Sequence, residues 1–116
     1  MKRVRISDQI IKTLSLHLTK EDNPQVKEVI AAAIGGIGLP EAQPCVDSLI
    51  KVLKTSREPK KLREQNQDEP AVRCMAVWAI GRLASEITMR KAAGTLINCL
   101  SDPFFKVRSS ACSSIA

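Results

Sequence analysis

Val72-Arg73-Cys74-Met75-Ala76-Val77-Trp78-Ala79-Ile80-Gly81-Arg82-Leu83 is the stretch on which the fold turns. Its apolar residues at 72, 75, 76, 79, 80 and 83 recur in steps of three and four, the spacing of one helix face. Glu69-Pro70 stands just before it, and proline suits the first helical position, where its missing N–H is not needed. The same arrangement occurs 46 residues upstream: Val26, Val29, Ile30, Ala33, Ile34 and Ile37 fall on Val72, Met75, Ala76, Ala79, Ile80 and Leu83. Gly35 falls on Gly81, Lys27 on Arg73, and Asn23-Pro24 on Glu69-Pro70. At an offset of 35 downstream, Val107, Arg108, Ala111 and Ile115 repeat Val72, Arg73, Ala76 and Ile80 after Asp102-Pro103.

Each full copy is followed by a second helical pattern. After the first comes Val46, Leu49, Ile50 and Leu53, and a helix is expected over about Glu41–Lys54. After the second comes Ala93, Leu96, Ile97 and Leu100, expected to face inward on a helix over about Thr88–Leu100. A further helix is expected over about Asp8–Leu18, capped by Ser7 or Asp8, with Ile11, Leu14 and Leu18 on one face. Asn23 is the expected cap of the helix beginning at Pro24, and Gly38 followed by Pro40 ends it. The chain therefore divides into a partial unit 7–22, a unit 23–54, an insertion 55–69, a unit 70–101 and a partial unit 102–116. With the insertion removed, the repeat is a helix-turn-helix of about 33–35 residues. Neither end carries a polar capping repeat, so the sequence reads as a window on a longer array, with apolar edges expected to self-associate.

The segment from Ala31 to Pro44 followed by Leu49-Ile50-Lys51-Val52-Leu53, and the segment Val72–Leu83, resemble HEAT repeats. The subtype they are most similar to is the short HEAT-like repeat named after phycobilisome lyases. The Asn23-Pro24, Glu69-Pro70 and Asp102-Pro103 openings with Val-Lys or Val-Arg after them fit it, the third being longer at Phe104-Phe105. The resemblance spans roughly residues 8–116. It implies an all-α fold, a right-handed superhelical solenoid of antiparallel helix pairs. It also implies that Lys27, Arg73 and Arg108 reach carboxylates of neighbouring units in a structural ladder. Ala33, Ala79, Gly35 and Gly81 are expected to allow close helix approach, and Trp78 to pack between units.

Composition narrows the function. The 116 residues carry a net charge of +6, compatible with an acidic protein, nucleic acid or an anionic surface. Tyr is absent and Phe occurs twice, which suits Ala- and Leu-rich helix packing better than a sheet sandwich. Cys45, Cys74, Cys99 and Cys112 include no C-x-x-C pair, and His17 is the single histidine, so neither a zinc site nor a dithiol redox site is expected. A reduced, intracellular protein, cytoplasmic or nuclear, is the expectation. No signal-peptide core follows Lys2, Arg3 and Arg5, and no apolar run approaches the roughly 18 residues of a membrane span.

Catalysis finds no constellation. The di-iron deoxyhypusine hydroxylases, which resemble this fold, need His-Glu pairs, and His17 is followed by Leu18. Gly35-Gly36-Ile37-Gly38 follows a helix and precedes no Lys-Ser/Thr, so it is not a phosphate loop. No cofactor or metal is expected. The leading expectation is a non-enzymatic scaffold binding a protein or peptide, of acidic character, on the concave face of the second helices. The residues expected to contribute are Lys51, Lys54, Arg90 and Lys91, with Arg57, Lys60, Lys61 and Arg63 of the insertion. The alternative is nucleic-acid binding along the same basic stripe, which supplies phosphate contacts but lacks rings for base stacking.

Overall fold

Proline, glycine and the capping residues set the helix boundaries. In the computed structural model, which describes residues 2–56 and 68–115 and the side chains of 8–55 and 70–115, six α-helices follow one another. They are α1 (Lys2–Lys20), α2 (Pro24–Ile37), α3 (Val46–Ser56), α4 (Asp68–Arg82), α5 (Glu86–Cys99) and α6 (Phe105–Ile115). No strand occurs among the described residues. Asn23 caps α2 by accepting from the N–H groups of Gln25 and Val26, and Pro24 opens it. Gly38 closes it at φ 72°, a backbone region open to glycine at little cost, with its N–H donating to Ile34 O at 3.2 Å. Ser85 caps α5 by accepting from Thr88 N–H.

Several boundaries differ from the expected ones: α4 begins at Asp68 rather than at Pro70, α5 at Glu86 rather than at Thr88, and α6 at Phe105 rather than at Pro103. Nothing in Lys2–Ile6 breaks a helix, so α1 extends back to Lys2 and Ser7 and Asp8 lie inside it rather than capping it. The helix expected from Glu41 begins instead as a 3-10 turn over Gln43–Cys45, and α3 starts at Val46. Pro44 explains this, because its ring and missing N–H are tolerated only in a first turn. The Leu39-Pro40 bond is cis.

The helices form two layers. α2 packs along α4 and α4 along α6, while α1 neighbours α3 and α3 neighbours α5. The Cα envelope of 49 × 30 × 17 Å is a slab about as thick as two packed helices. Between the layers lies one apolar seam that includes Ile34, Leu49, Leu53, Ile80, Leu83 and Leu96, each fully buried.

On α4 the expected inward face is the observed one, with Val72, Ala76, Ala79, Ile80 and Leu83 at 0% exposure and Met75 half-buried. On α2 it is so only in part. Ile34 is buried and Ile30 half-buried as expected, but Val26, Val29, Ala33 and Ile37 are exposed, and Ala31 and Gly35 are buried instead. The cause is neighbourhood: α4 lies between α2 and α6, whereas α2 has a layer neighbour on one side only. The inward face of α5 is also rotated from the expected one. Ile97 and Leu100 are exposed, Ala93 is half-buried, and Thr88, Ala92, Thr95, Leu96 and Cys99 face in. Those buried positions match α3 at the same offset of 46, Val46 with Ala92, Leu49 with Thr95, Ile50 with Leu96 and Leu53 with Cys99. Register with α3 therefore sets the face of α5, and the extra apolar residues point outward.

Candidate binding surface

Small residues bring the units together. A Cβ added to Gly35 of α2 would overlap the Trp78 ring of α4 and stand 3.1 Å from Ala79 Cα. Gly81 of α4 meets Ser114 of α6 in the equivalent place, and Ser114 Oγ donates to Val77 O at 3.0 Å. Trp78 thus lies across the α2–α4 contact while remaining 43% exposed, with the Arg82 guanidinium 5.9 Å from its ring centroid. Phe104 and Phe105 stack on each other; Phe104 is half-buried and Phe105 exposed.

The basic residue after valine behaves differently in each copy. Arg73 donates through Nε to Asp102 Oδ2 at 2.7 Å and through Nη2 to Oδ1 at 3.1 Å, both side chains buried. Asp102 also accepts from Phe104 N–H, which fixes the entry into α6. Arg108 donates to the Asp102 backbone oxygen at 2.8 Å. Lys27 makes no ion pair among the described residues, and Glu69, which stands in Asp102's place by sequence register, has its side chain outside them.

Other polar contacts join the second helices, and sequence reasoning missed them. Gln43 donates through Nε2 to Thr88 Oγ1 at 2.9 Å and accepts from Ser85 through Oε1, tying the turn before α3 to the cap of α5. Ser15 of α1 and Ser48 of α3 share a hydrogen bond. The signal available for the first was the buried Thr88 itself, a polar residue one turn into an apolar helix.

The expected binding residues are only partly brought together. Lys51 and Lys54 stand exposed on α3. Lys91 of α5 reaches Asp47 of α3 at 3.3 Å, and Arg90 pairs with Glu86 at 2.7 Å on its own helix. Both pairs are well solvated, so they hold their residues weakly. Arg57, Lys60, Lys61 and Arg63 lie outside the described residues. A shallow groove of about 310 Å³ runs between α1 and α3, with Ile11, Leu16 and Pro44 supplying apolar lining and Lys12 its charge.

The thiols are separate. Cys45 and Cys99 are buried, Cys74 is half-buried and Cys112 exposed, and none is in a disulfide. Burial pushes the Cys45 thiol up to about 11, and its Sγ lies 3.7 Å from the Ile11 oxygen that accepts from it. Burial also raises Cys74, against a lowering hydrogen bond with Ser110. Such thiols are weak nucleophiles at neutral pH. Among the described residues no cluster of His, Cys, Asp and Glu is arranged to hold a metal ion, and no helix is long and apolar enough to cross a membrane.

Helix pairs in two layers, glycines at the crossings and an arginine-to-aspartate contact between successive copies define a class of helical repeat. The family model of the PBS lyase HEAT-like repeat matches residues 72–102, which run from the start of the buried face of α4 to Asp102. That match identifies residues 72–102 as a HEAT-like repeat. No curated protein and no solved structure gives a significant match to it.

Proposed function

We propose that this chain is a non-enzymatic scaffold that binds a protein or peptide segment of acidic, amphipathic character across the α1–α3–α5 layer. One observation carries the reading. Leu16, Lys51 and Ile97 occupy the same register position on three neighbouring helices, at offsets of 35 and 46, and all three are exposed. One turn further, Thr19, Lys54 and Leu100 repeat the arrangement. Lone exposed apolar side chains are ordinary on a protein surface. Here Leu16 at 53% and Ile97 at 58% flank a lysine row, so a ligand that alternates carboxylates with apolar groups satisfies both.

In this reading the units are 23–54 and 70–101, flanked by partial units. Their pairs curve into a right-handed superhelix with this layer on the concave side. Arg90 and Lys91 exchange their solvated partners for ligand carboxylates. The setting is the reducing interior of a cell, where four unpaired cysteines persist. Nucleic acid is the competing occupant. It is disfavoured because α1, α3 and α5 contain no Phe, Trp or Tyr on which a base could stack.

The test is affinity capture from a cell lysate at physiological salt, with and without nuclease, using the full chain, a Leu16→Asp/Ile97→Asp variant and a Lys51→Glu/Lys54→Glu variant. The expected result is a defined protein that survives nuclease and is lost by both variants. Loss on nuclease treatment assigns the surface to nucleic acid. Capture that both variants retain removes the α1–α3–α5 surface from the reading.

A further inference from the structure

The two furrows on the outward face of the α1–α3–α5 layer differ in kind. Between α1 and α3 runs the groove of about 310 Å³ lined by Ile11, Leu16 and Pro44, with Ser15 and Ser48 half-buried within it. The two serines share one hydrogen bond, so one of their two hydroxyl protons remains to donate. Between α3 and α5 the same register positions carry other residues. Lys51 and Lys54 stand in the places of Leu16 and Thr19, and Ile50 and Gly94 in those of Ser15 and Ser48. Gly94 leaves open space, since a Cβ there meets nothing within 4 Å. Lys51 and Lys54 are exposed and make no ion pair among the described residues, whereas Asp47, in the place of Lys12, is held by Lys91. The first furrow is thus apolar with a hydroxyl floor, and the second is cationic.

Resting on the scaffold reading above, we propose that the two furrows are adjacent subsites for one extended acidic segment of a protein partner. An apolar side chain enters the α1–α3 groove, and a carboxylate three residues away meets Lys51 and Lys54. Spacing supports this. Packed helices lie about 8–10 Å apart, so the furrows between them repeat at that distance. Three residues of polyproline-II-like chain rise about 9 Å and return their side chains to the same side. A pleated strand returns them at about 7 or 13 Å and fits neither way. A helix laid across the layer returns them at seven residues, about 10 Å, and the floor of the groove disfavours it. Extended backbone carries free C=O groups that need donors, and the Ser15–Ser48 pair supplies one. A helix satisfies its own carbonyls and leaves that hydroxyl unmatched. Charge fixes which group goes where. Lys12 is the one cation among the residues lining the first groove, whereas two lysines stand at the second furrow.

Selection of a phage-displayed library of random linear peptides on the full chain tests this, with Leu16→Asp and Lys51→Glu/Lys54→Glu as separate comparison targets. Enriched peptides are expected to carry Leu, Ile or Val three residues from Asp or Glu. In fluorescence anisotropy, such a peptide is expected to lose at least about 10-fold in affinity when its apolar residue becomes glutamine. Moving its acidic residue by one position is expected to cost at least about 3-fold. Leu16→Asp should abolish the apolar preference and keep the acidic one, and Lys51→Glu/Lys54→Glu should do the reverse. Acidic peptides with no fixed spacing, or with the seven-residue spacing of a helix, overturn this inference. They leave the scaffold reading standing where Lys51→Glu/Lys54→Glu abolishes their binding. Enrichment that neither variant changes overturns both. No enrichment overturns this inference alone, because lysate capture still tests the scaffold reading. Helical circular dichroism equal to wild type identifies variants that have kept the fold.

Discussion

α2 and α4 carry nearly the same pattern, yet α4 is enclosed and α2 is open along one side. Val72 and Leu83 are buried where Val26 and Ile37 are exposed, and Arg73 is locked to Asp102 where Lys27 makes no ion pair among the described residues. In a repeat protein the energetic value of a residue is therefore set by whether a neighbour stands beside its unit. Chemically matched substitutions at equivalent positions should differ several-fold in cost, and that is the way to break the comparison.

The largest difference is expected at the basic position. Arg73→Ala leaves the Asp102 carboxylate buried without its partner and should destabilise by about 3–5 kcal/mol. Lys27→Ala should stay within about 0.5 kcal/mol of wild type, as for an ordinary surface change. Urea unfolding of both variants measures the gap, and equal costs would mean that α2 and α4 are in the same environment.

Glycine gives the next contrast, and here the sign changes. Gly35→Ala forces a methyl into the Trp78 ring and should cost about 1–3 kcal/mol, even after the gain in helix propensity. Gly94→Ala on α5 meets nothing within 4 Å and should stabilise by about 0.5–1 kcal/mol. Thermal melts read both, and the emission of Trp78, the single tryptophan, should shift in the first variant only.

The smallest effect concerns alkaline pH and sharpens the contrast between enclosed and open sites. The folded Cys45 thiol titrates near 11, above its ordinary value of 9.0. The unfolded chain therefore ionises first, so this contribution to stability is complete below about pH 9 and is lost as pH rises toward 11. Denaturation midpoints should fall across that window and fall less in Cys45→Ala, once each series is referred to its own neutral value.

The sequence made the repeat legible because its signals are local. Asn23, Pro24 and Gly38 act on their own backbone, and each performs the expected job in α2. The buried face of α4 was equally legible from spacing. Two features were not. The exposure of Val26 and Val29 depends on an absent neighbour, and an apolar stripe reads the same whether or not anything covers it. The rotation of α5 was missed because Ile97 and Leu100 are more apolar than Thr95, which is nonetheless buried at 8% exposure. Applying the 46-residue offset to the second helices pairs Thr95 with Leu49 and Ile97 with Lys51, and would have found it. Of the proposed binding residues, the exposure of Lys51 and Lys54 follows from the helical pattern. The partners of Lys91 and Arg90 needed three dimensions for the first, and only a four-residue count for the second.

The Arg73–Asp102 contact also has a mechanical side. It joins the second and third copies on the α4–α6 side of the slab, whereas Gln43 with Ser85 and Thr88 joins the first and second on the α3–α5 side. Along the stack the two fasteners thus act in series and sit in opposite layers. A tensile load applied through the ends would therefore meet one fastener in each layer, in turn.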